Sequence, residues 1–232
     1  MELKIANIKA LIGRVKLLVD KYEEIERITG EKFNVFSILG LSSDELAHSK
    51  FIANLLNPKG SHGQGDIYLK LFIDCMKEKF LTQTEENTNL ISEDSNIHVL
   101  DMFETEKAKC LTEKHVGKVS FKNDEGGRID IYLESSTNEI IIENKVYAGD
   151  QYKQLKRYNK FAPNAPIFYL TRLDCDKVSL ASKNDLIEGQ HFFSVSYETD
   201  ILNWINRCVE LSATIPFIRE TLRQYSNLIK RL

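Results

Sequence analysis

The chain has 232 residues, 42% hydrophobic and 28% charged, and its 31 lysines and arginines against 34 acids give a formal net charge of −3. That is enough chain to bury a sizeable core. It contains no apolar run near the roughly 18–20 residues a membrane helix needs, and no charged-then-apolar leader, so a globular protein of the cytoplasm with no membrane partner is expected. The acidic balance excludes a uniformly basic coat for nucleic acid, so any basic surface must be local. Cys75, Cys110, Cys175 and Cys208 stand far apart with no C-x-x-C pair, and the five histidines form no H-E-x-x-H cluster. Neither a disulfide framework nor a zinc knuckle is expected.

Residues 1–29 read as one amphipathic helix: Ile8, Leu11, Val15, Leu18, Tyr22 and Ile25 recur at steps of three and four, and Gly30 offers a stop. The spacing fits a three-heptad seam, but so short a seam rarely pairs alone, so packing against its own domain is the expectation. A second helix is predicted from Ser42 or Ser43, where Ser42-Ser43-Asp44-Glu45 has a capping-box pattern, to about Leu56. It sets Glu45, His48, Ile52 and Leu55 on one stripe. The glycine-punctuated loop Gly60–Asp66 leads to a third helix, whose Ile67, Leu71, Phe72 and Met76 mark the buried side. Gln83–Asn96, with four acids and no bases, reads as a polar insertion.

After the insertion the hydrophobic period changes from 3.6 to 2. Strands are predicted within 104–116 and over 128–134 and 139–146, with Gly126-Gly127 and Ser135–Asn138 as turns. A helix capped by Asp150 runs to about Phe161. Strands follow at 166–172 and 191–196, and helices at about 198–211 and 216–231. The fold class is therefore α/β, organised as an N-terminal helix over 1–30 and a single domain over 31–232 with the insertion around 81–97.

The chemistry concentrates between Gly126 and Tyr158. Asp130 lies in one strand of a hairpin, and Glu143 and Lys145 lie in the next at i and i+2, on the face opposite Asn144. The preceding Ile140-Ile141-Ile142 marks a buried strand. An acid and a lysine ending such a strand cost several kcal/mol unless they are paired or bind a metal. A salt bridge among the three would use the same residues. Two carboxylates from neighbouring strands also make the hard-oxygen site that Mg²⁺ or Mn²⁺ prefers. A lysine beside it could orient or deprotonate an attacking water and offset charge on a phosphoryl transition state.

Asp130, then Glu143-Asn144-Lys145, with Gln154-Leu155-Lys156-Arg157-Tyr158 on the following helix, resembles the PD-(D/E)XK nuclease superfamily. The Q-x-x-x-Y tail is similar to the RecB-like branch. The closer likeness is to bacterial and phage members with an upstream E-x-x-H-S…H-G-x-G-D block, here Glu45 to Asp66, and a closing S-Y…D-I-x-x-W-I block, here Ser196 to Ile205. The resemblance spans roughly residues 40–232. Ile129 stands where the family name has proline, and no catalytic position is missing.

The resemblance implies a restriction-endonuclease-like αβββαβ core with a mixed central sheet and additional terminal helices. It also implies metal-dependent hydrolysis of nucleic-acid phosphodiesters, DNA being the expected partner and Mg²⁺ or Mn²⁺ the cofactor. Asp130, Glu143 and Lys145 would be catalytic, Asp130 and Glu143 would bind the metal, and Glu45 would complete its shell. Gln154 and Tyr158 would brace the site and contact the substrate strand, and His48 is a further candidate ligand, though a buried structural histidine is the simpler expectation. Independently of the family, Lys153, Lys156, Arg157 and Lys160 make 151–160 basic with no acid. Interleaved with Tyr152 and Tyr158, they offer phosphate contacts, Lys153 and Arg157 foremost. His62 is expected to shape its loop or touch phosphate. A homodimer would supply the two active sites that cutting a duplex needs. A catalytically silent binding module on the same fold is the alternative reading, and a small-molecule phosphodiesterase lacks any glycine-rich phosphate cradle. Without the four acids of the insertion the chain is net +1, so the overall acidity does not argue against a nuclease.

Overall fold

The computed structural model describes residues 2–30, 32–81 and 94–232. Its elements, in order, are α1 (Glu2–Thr29), α2 (Val35–Ile38), α3 (Glu45–Leu56), α4 (Ile67–Phe80), β1 (Lys109–His115), β2 (Arg128–Glu134) and β3 (Glu139–Lys145). Then follow α5 (Gln154–Phe161), β4 (Ile167–Thr171), α6 (Leu180–Lys183), β5 (Phe192–Ser196), α7 (Leu202–Leu211) and α8 (Pro216–Ile229). The strands form one mixed sheet in the order β1-β2-β3-β4-β5. The first three are antiparallel and the last three parallel. This is the αβββαβ order that the resemblance implies.

Period-2 alternation sorts the strand side chains onto two faces. Ile131, Leu133, Ile140, Ile142, Phe168, Leu170, Phe193 and Val195 face the larger core, with α3, α4, α7 and α8. Tyr132, Ile141, Ile167, Tyr169 and Phe192 face α5 through Leu155 and Tyr158. The larger core is anchored by Trp204, fully buried, whose Nε1 donates to the Tyr68 carbonyl at 3.0 Å. A buried aromatic of this size contributes on the order of 3 kcal/mol through area alone.

Several boundaries differ from the sequence reading. The second predicted helix starts at Glu45, two to three residues later than expected: Ser42 and Ser43 sit in a 3₁₀ turn, and extended Asp44 is the N-cap, accepting from the Ala47 amide at 2.9 Å. α5 starts at Gln154 behind a left-handed Lys153, while Asp150 accepts from the Tyr169 hydroxyl and the Ser179 amide instead of capping. β1 starts at Lys109, since Thr105–Lys107 forms a 3₁₀ turn. On α4 the buried side is centred on Tyr68, Leu69, Phe72, Ile73 and Met76, leaving Ile67 40% exposed. Most of the insertion lies outside the described residues. Its far end is packed, with Ile97 fully buried and Ser95 donating to the Gly189 carbonyl.

The largest difference is α1. The expectation that it packs on its own domain is overturned: Ile8, Leu11, Val15, Leu18, Tyr22 and Ile25 are each exposed by 41–66%. Helical spacing specifies an apolar face, but it carries no information about what covers that face.

Candidate active site

The site is built where β2 begins and β3 ends, against α3 and α5. Ile131 pairs with Ile142, so Asp130 and Glu143 are next along the ladder. There the Asp130 carboxylate accepts from the Asn144 amide at 2.8 Å. Glu143 is 1% exposed. Its Oε1 accepts from Lys145 Nζ at 2.7 Å and from Gln154 Nε2 at 2.5 Å, while its Oε2 is buried with no partner. These groups open on a cleft of about 640 Å³ lined by Glu45, Asp130, Glu143, Lys145, Gln151 and Gln154, and walled by Gly117, Lys118 and Val119 of the β1–β2 loop.

Burial dominates the electrostatics. Desolvation, aided by Asp130, pushes the Glu143 carboxyl up to about 8, and desolvation, aided by Glu113 and Glu45, pushes Asp130 up to about 6. Burial alone would lower Lys145, but Glu143, Asp130 and Glu45 outweigh it and hold its ammonium above the ordinary value. Two buried carboxyls beside one lysine are costly to ionise together, and Glu143 Oε2 is left with an unmet bonding requirement. This hard-oxygen donor pair fits a divalent cation such as Mg²⁺ or Mn²⁺.

Glu45 lines the same cleft, but its Oε1 accepts from three successive amides, Val146, Tyr147 and Ala148, at 2.7–2.8 Å. It thus clamps the turn that follows Lys145. Among the described residues no three histidine, cysteine, aspartate or glutamate side chains converge as a metal cluster. One Glu45 oxygen is thus committed to backbone, and only its second oxygen is left to face the cleft.

His48 is not available as a ligand. It is buried, with Nδ1 against the Tyr225 hydroxyl at 2.9 Å and Nε2 near the Ser42 carbonyl at 3.3 Å, and burial lowers its pKa. His62 shapes its loop: Nε2 lies 3.0 Å from the Asn57 carbonyl and Nδ1 accepts from the Gln64 amide. Gln154 touches both Glu143 and, at 3.2 Å, the Tyr158 hydroxyl, which in turn donates to the Arg128 carbonyl at 2.6 Å. Tyr158 is buried, so it braces the site from beneath and presents no surface to a strand. Lys153 pairs with Asp124 at 2.7 Å, and Arg157 is 1% exposed.

The residue that sequence reasoning passed over is Asn144. Fully buried on the opposite face of β3, it donates to the Glu45 carbonyl at 3.1 Å and to Ser49 Oγ at 3.0 Å, and accepts from the Tyr197 hydroxyl at 3.0 Å. It therefore joins the three blocks that the sequence shows only in series. The signal was its place between Glu143 and Lys145, together with the serine of E-x-x-H-S and the tyrosine of S-Y.

A model of the PD-(D/E)XK nuclease superfamily matches residues 33–227. Neither the curated proteins nor the solved structures gave a match. With the match covering most of the chain and its core order and buried Asp130–Glu143–Lys145 arrangement on the sheet, the chain belongs to the PD-(D/E)XK nuclease superfamily.

Proposed function

We propose that the chain is a divalent-metal-dependent nuclease of the cytoplasm, with one domain over 31–232, hydrolysing phosphodiester bonds of nucleic acid, DNA in the first instance. The observation that carries this reading is the buried Glu143 Oε2 without a partner, beside Asp130 and the Lys145 ammonium. Asp130 and Glu143 would hold Mg²⁺ or Mn²⁺, with the second oxygen of Glu45 assisting. Bound metal supplies Lewis-acid stabilisation of charge on the phosphoryl oxygens. Lys145 orients the water whose oxygen attacks phosphorus as the bond to the leaving sugar oxygen breaks. Gln154 holds the Glu143 carboxylate in place, Tyr158 holds Gln154, and Lys153 and Arg157 take phosphate. The four cysteines are all free thiols, in keeping with a reducing compartment.

The test is incubation of wild type and Lys145→Ala with labelled DNA and RNA, single- and double-stranded, in Mg²⁺, Mn²⁺ or EDTA. Cleavage by wild type in metal alone, lost in the variant, is expected. Undiminished cleavage by the variant would sink the assignment. Metal binding without cleavage of any substrate would favour the silent binding module instead.

The exposed seam of α1 supports a homodimer. Its six apolar positions follow the a and d places of three heptads, and Lys21 and Glu26 flank the seam at places that oppose one another in a parallel pair. A second copy of α1 is the occupant a self-complementary repeat fits. Light scattering should give twice the chain mass for wild type and a monomer for Leu18→Asp; a wild-type monomer would reject the dimer.

A further inference from the structure

The β1–β2 loop, Gly117–Gly127, lies over the basic stripe of α5. Arg157 and Lys160 stand at i and i+3 on α5, and Lys153, the left-handed residue that caps the helix, precedes Arg157 by one turn of chain. The loop meets this stripe with its two acids. Asp124 pairs with Lys153 at 2.7 Å, and Glu125 pairs with Lys160 at 3.0 Å. Lys160 also donates to the Asn123 carbonyl at 2.6 Å. Between these pairs the Phe121 ring lies over the Arg157 guanidinium, 5.7 Å from its centroid, and meets Tyr152 edge-on at 5.4 Å.

Arg157 is the unusual member. It is 1% exposed, and of its side-chain donors Nη2 reaches Gln151 Oε1 at 3.2 Å while Nε and Nη1 have no partner. A guanidinium buried with two N–H groups unpaired is costly, and an aromatic face alone compensates it weakly. Gln151 lines the catalytic cleft, so the unpaired donors lie one side chain behind it. The loop itself is held together internally. Ser120 and Glu125 exchange both backbone hydrogen bonds, at 2.9 and 3.1 Å, and the Gly127 amide donates to the Gly117 carbonyl at 3.0 Å. Gly117 and Gly126 take left-handed φ of 107° and 79°, and a Cβ at Gly126 would come within 2.1 Å of the Lys118 carbonyl. Its attachment to α5, by contrast, is made of partly exposed ion pairs and one pair of aromatics each 53% exposed.

We propose that this loop is a cover on the strand-binding face of α5. In the free protein Asp124 and Glu125 occupy the places of backbone phosphates on Lys153 and Lys160, and Phe121 closes over Arg157. A nucleic-acid strand lifts the cover at its glycine ends, exchanges phosphates for the two carboxylates, and satisfies Arg157 Nε and Nη1 with a further phosphate. The exchange is cheap because partly exposed ion pairs are weak, while a polyanion gains from releasing its counterions. The proposal rests on the nucleic-acid reading above and adds that the free protein is self-inhibited for binding.

Binding is measured by fluorescence anisotropy in EDTA, with labelled single-stranded and duplex DNA and RNA, and cleavage is measured separately in Mg²⁺. Asp124→Asn/Glu125→Gln should bind at least fivefold more tightly than wild type. The gain should vanish in a Lys153→Ala/Lys160→Ala background, and Arg157→Ala should weaken the opened variant severalfold. Glu104→Gln/Glu106→Gln removes the same charge elsewhere and should give less than a twofold gain. Unchanged affinity on opening, an equal gain from the control, or a gain that survives loss of the two lysines would each overturn the cover. If wild type still cleaves, only the cover falls; if no variant binds and none cleaves, the nucleic-acid reading falls with it.

Discussion

Glu143 and Asn144 are neighbours on β3, point to opposite faces of the sheet, and are buried alike, yet their surroundings differ in kind. Asn144 has its amide nitrogen and its carbonyl oxygen both engaged, by Glu45, Ser49 and Tyr197. Glu143 has one oxygen held twice and the other not at all. One face is a finished polar network, which stabilises because nothing in it is left unpaired. The other is incomplete in its bonding, and that incompleteness is what a bound cation would remove. The lesson is that burial alone does not mark a functional residue. Burial with an unmet bonding requirement does.

The comparison can be broken first at Glu143. Glu143→Gln should lower cleavage by about a thousandfold or more, since it removes a metal-holding carboxylate. It should alter stability by less than about 1 kcal/mol near neutral pH, because the metal-free carboxyl, pushed up to about 8, is already largely protonated there. Steady-state cleavage and thermal melts of the same preparation check both halves. A large loss of stability would mean that Glu143 is structural after all.

Asn144→Ala should do the reverse. Three buried hydrogen bonds go, taking a partner from the Glu45 carbonyl, Ser49 and Tyr197, at a cost of about 2–4 kcal/mol and a Tm drop of roughly 5–12 °C. Assayed well below its Tm, it should keep activity within about tenfold of wild type, because Asn144 faces away from the cleft.

The third test uses protons as competitors. The raised Asp130 and Glu143 carboxyls hold protons to about pH 6 and 8, so divalent metal must displace them at lower pH. Calorimetric Mn²⁺ affinity should therefore rise by about tenfold or more from pH 5.5 to 8.5. The sign for folding is opposite. The folded state binds these protons more tightly than the unfolded chain, so metal-free stability falls as pH rises through that window. Affinity that is flat with pH would show that metal is held elsewhere.

The smallest effect is expected at His48, a satisfied buried group like Asn144. His48→Ala should cost about 1–2 kcal/mol by removing a buried hydrogen bond to the Tyr225 hydroxyl, with Mn²⁺ affinity unchanged by titration. A tenfold loss of affinity would restore it as a ligand.

Much of this was legible in the sequence. β2 was read with its observed ends and β3 to within one residue, because alternation and turn glycines are local signals. Asp130, Glu143 and Lys145 were readable because a charge ending an isoleucine run is anomalous without a partner. Asn144 was not, since an uncharged residue at a strand end breaks no local rule. Its meaning depends on Ser49 and Tyr197, 95 and 53 residues away in the chain. The N-terminal stop of α5 was misplaced for a related reason: Asp150 looks like a cap until Tyr169 and Ser179 claim it.

By itself the sequence determined the order of elements, the faces of the strands, and the three charged residues that the end of a buried strand must pair or ligate, because each of these follows from spacing of side chains along one chain. The tertiary structure decided which carboxylates meet, that Glu45 spends an oxygen on the turn after Lys145, that His48 is taken by Tyr225, and that α1 stands uncovered. It also decided that the basic stripe of α5 is already occupied by acids of the β1–β2 loop. The reason is physical: a side chain's chemistry is set by its composition, but its availability is set by which distant partner reaches it first.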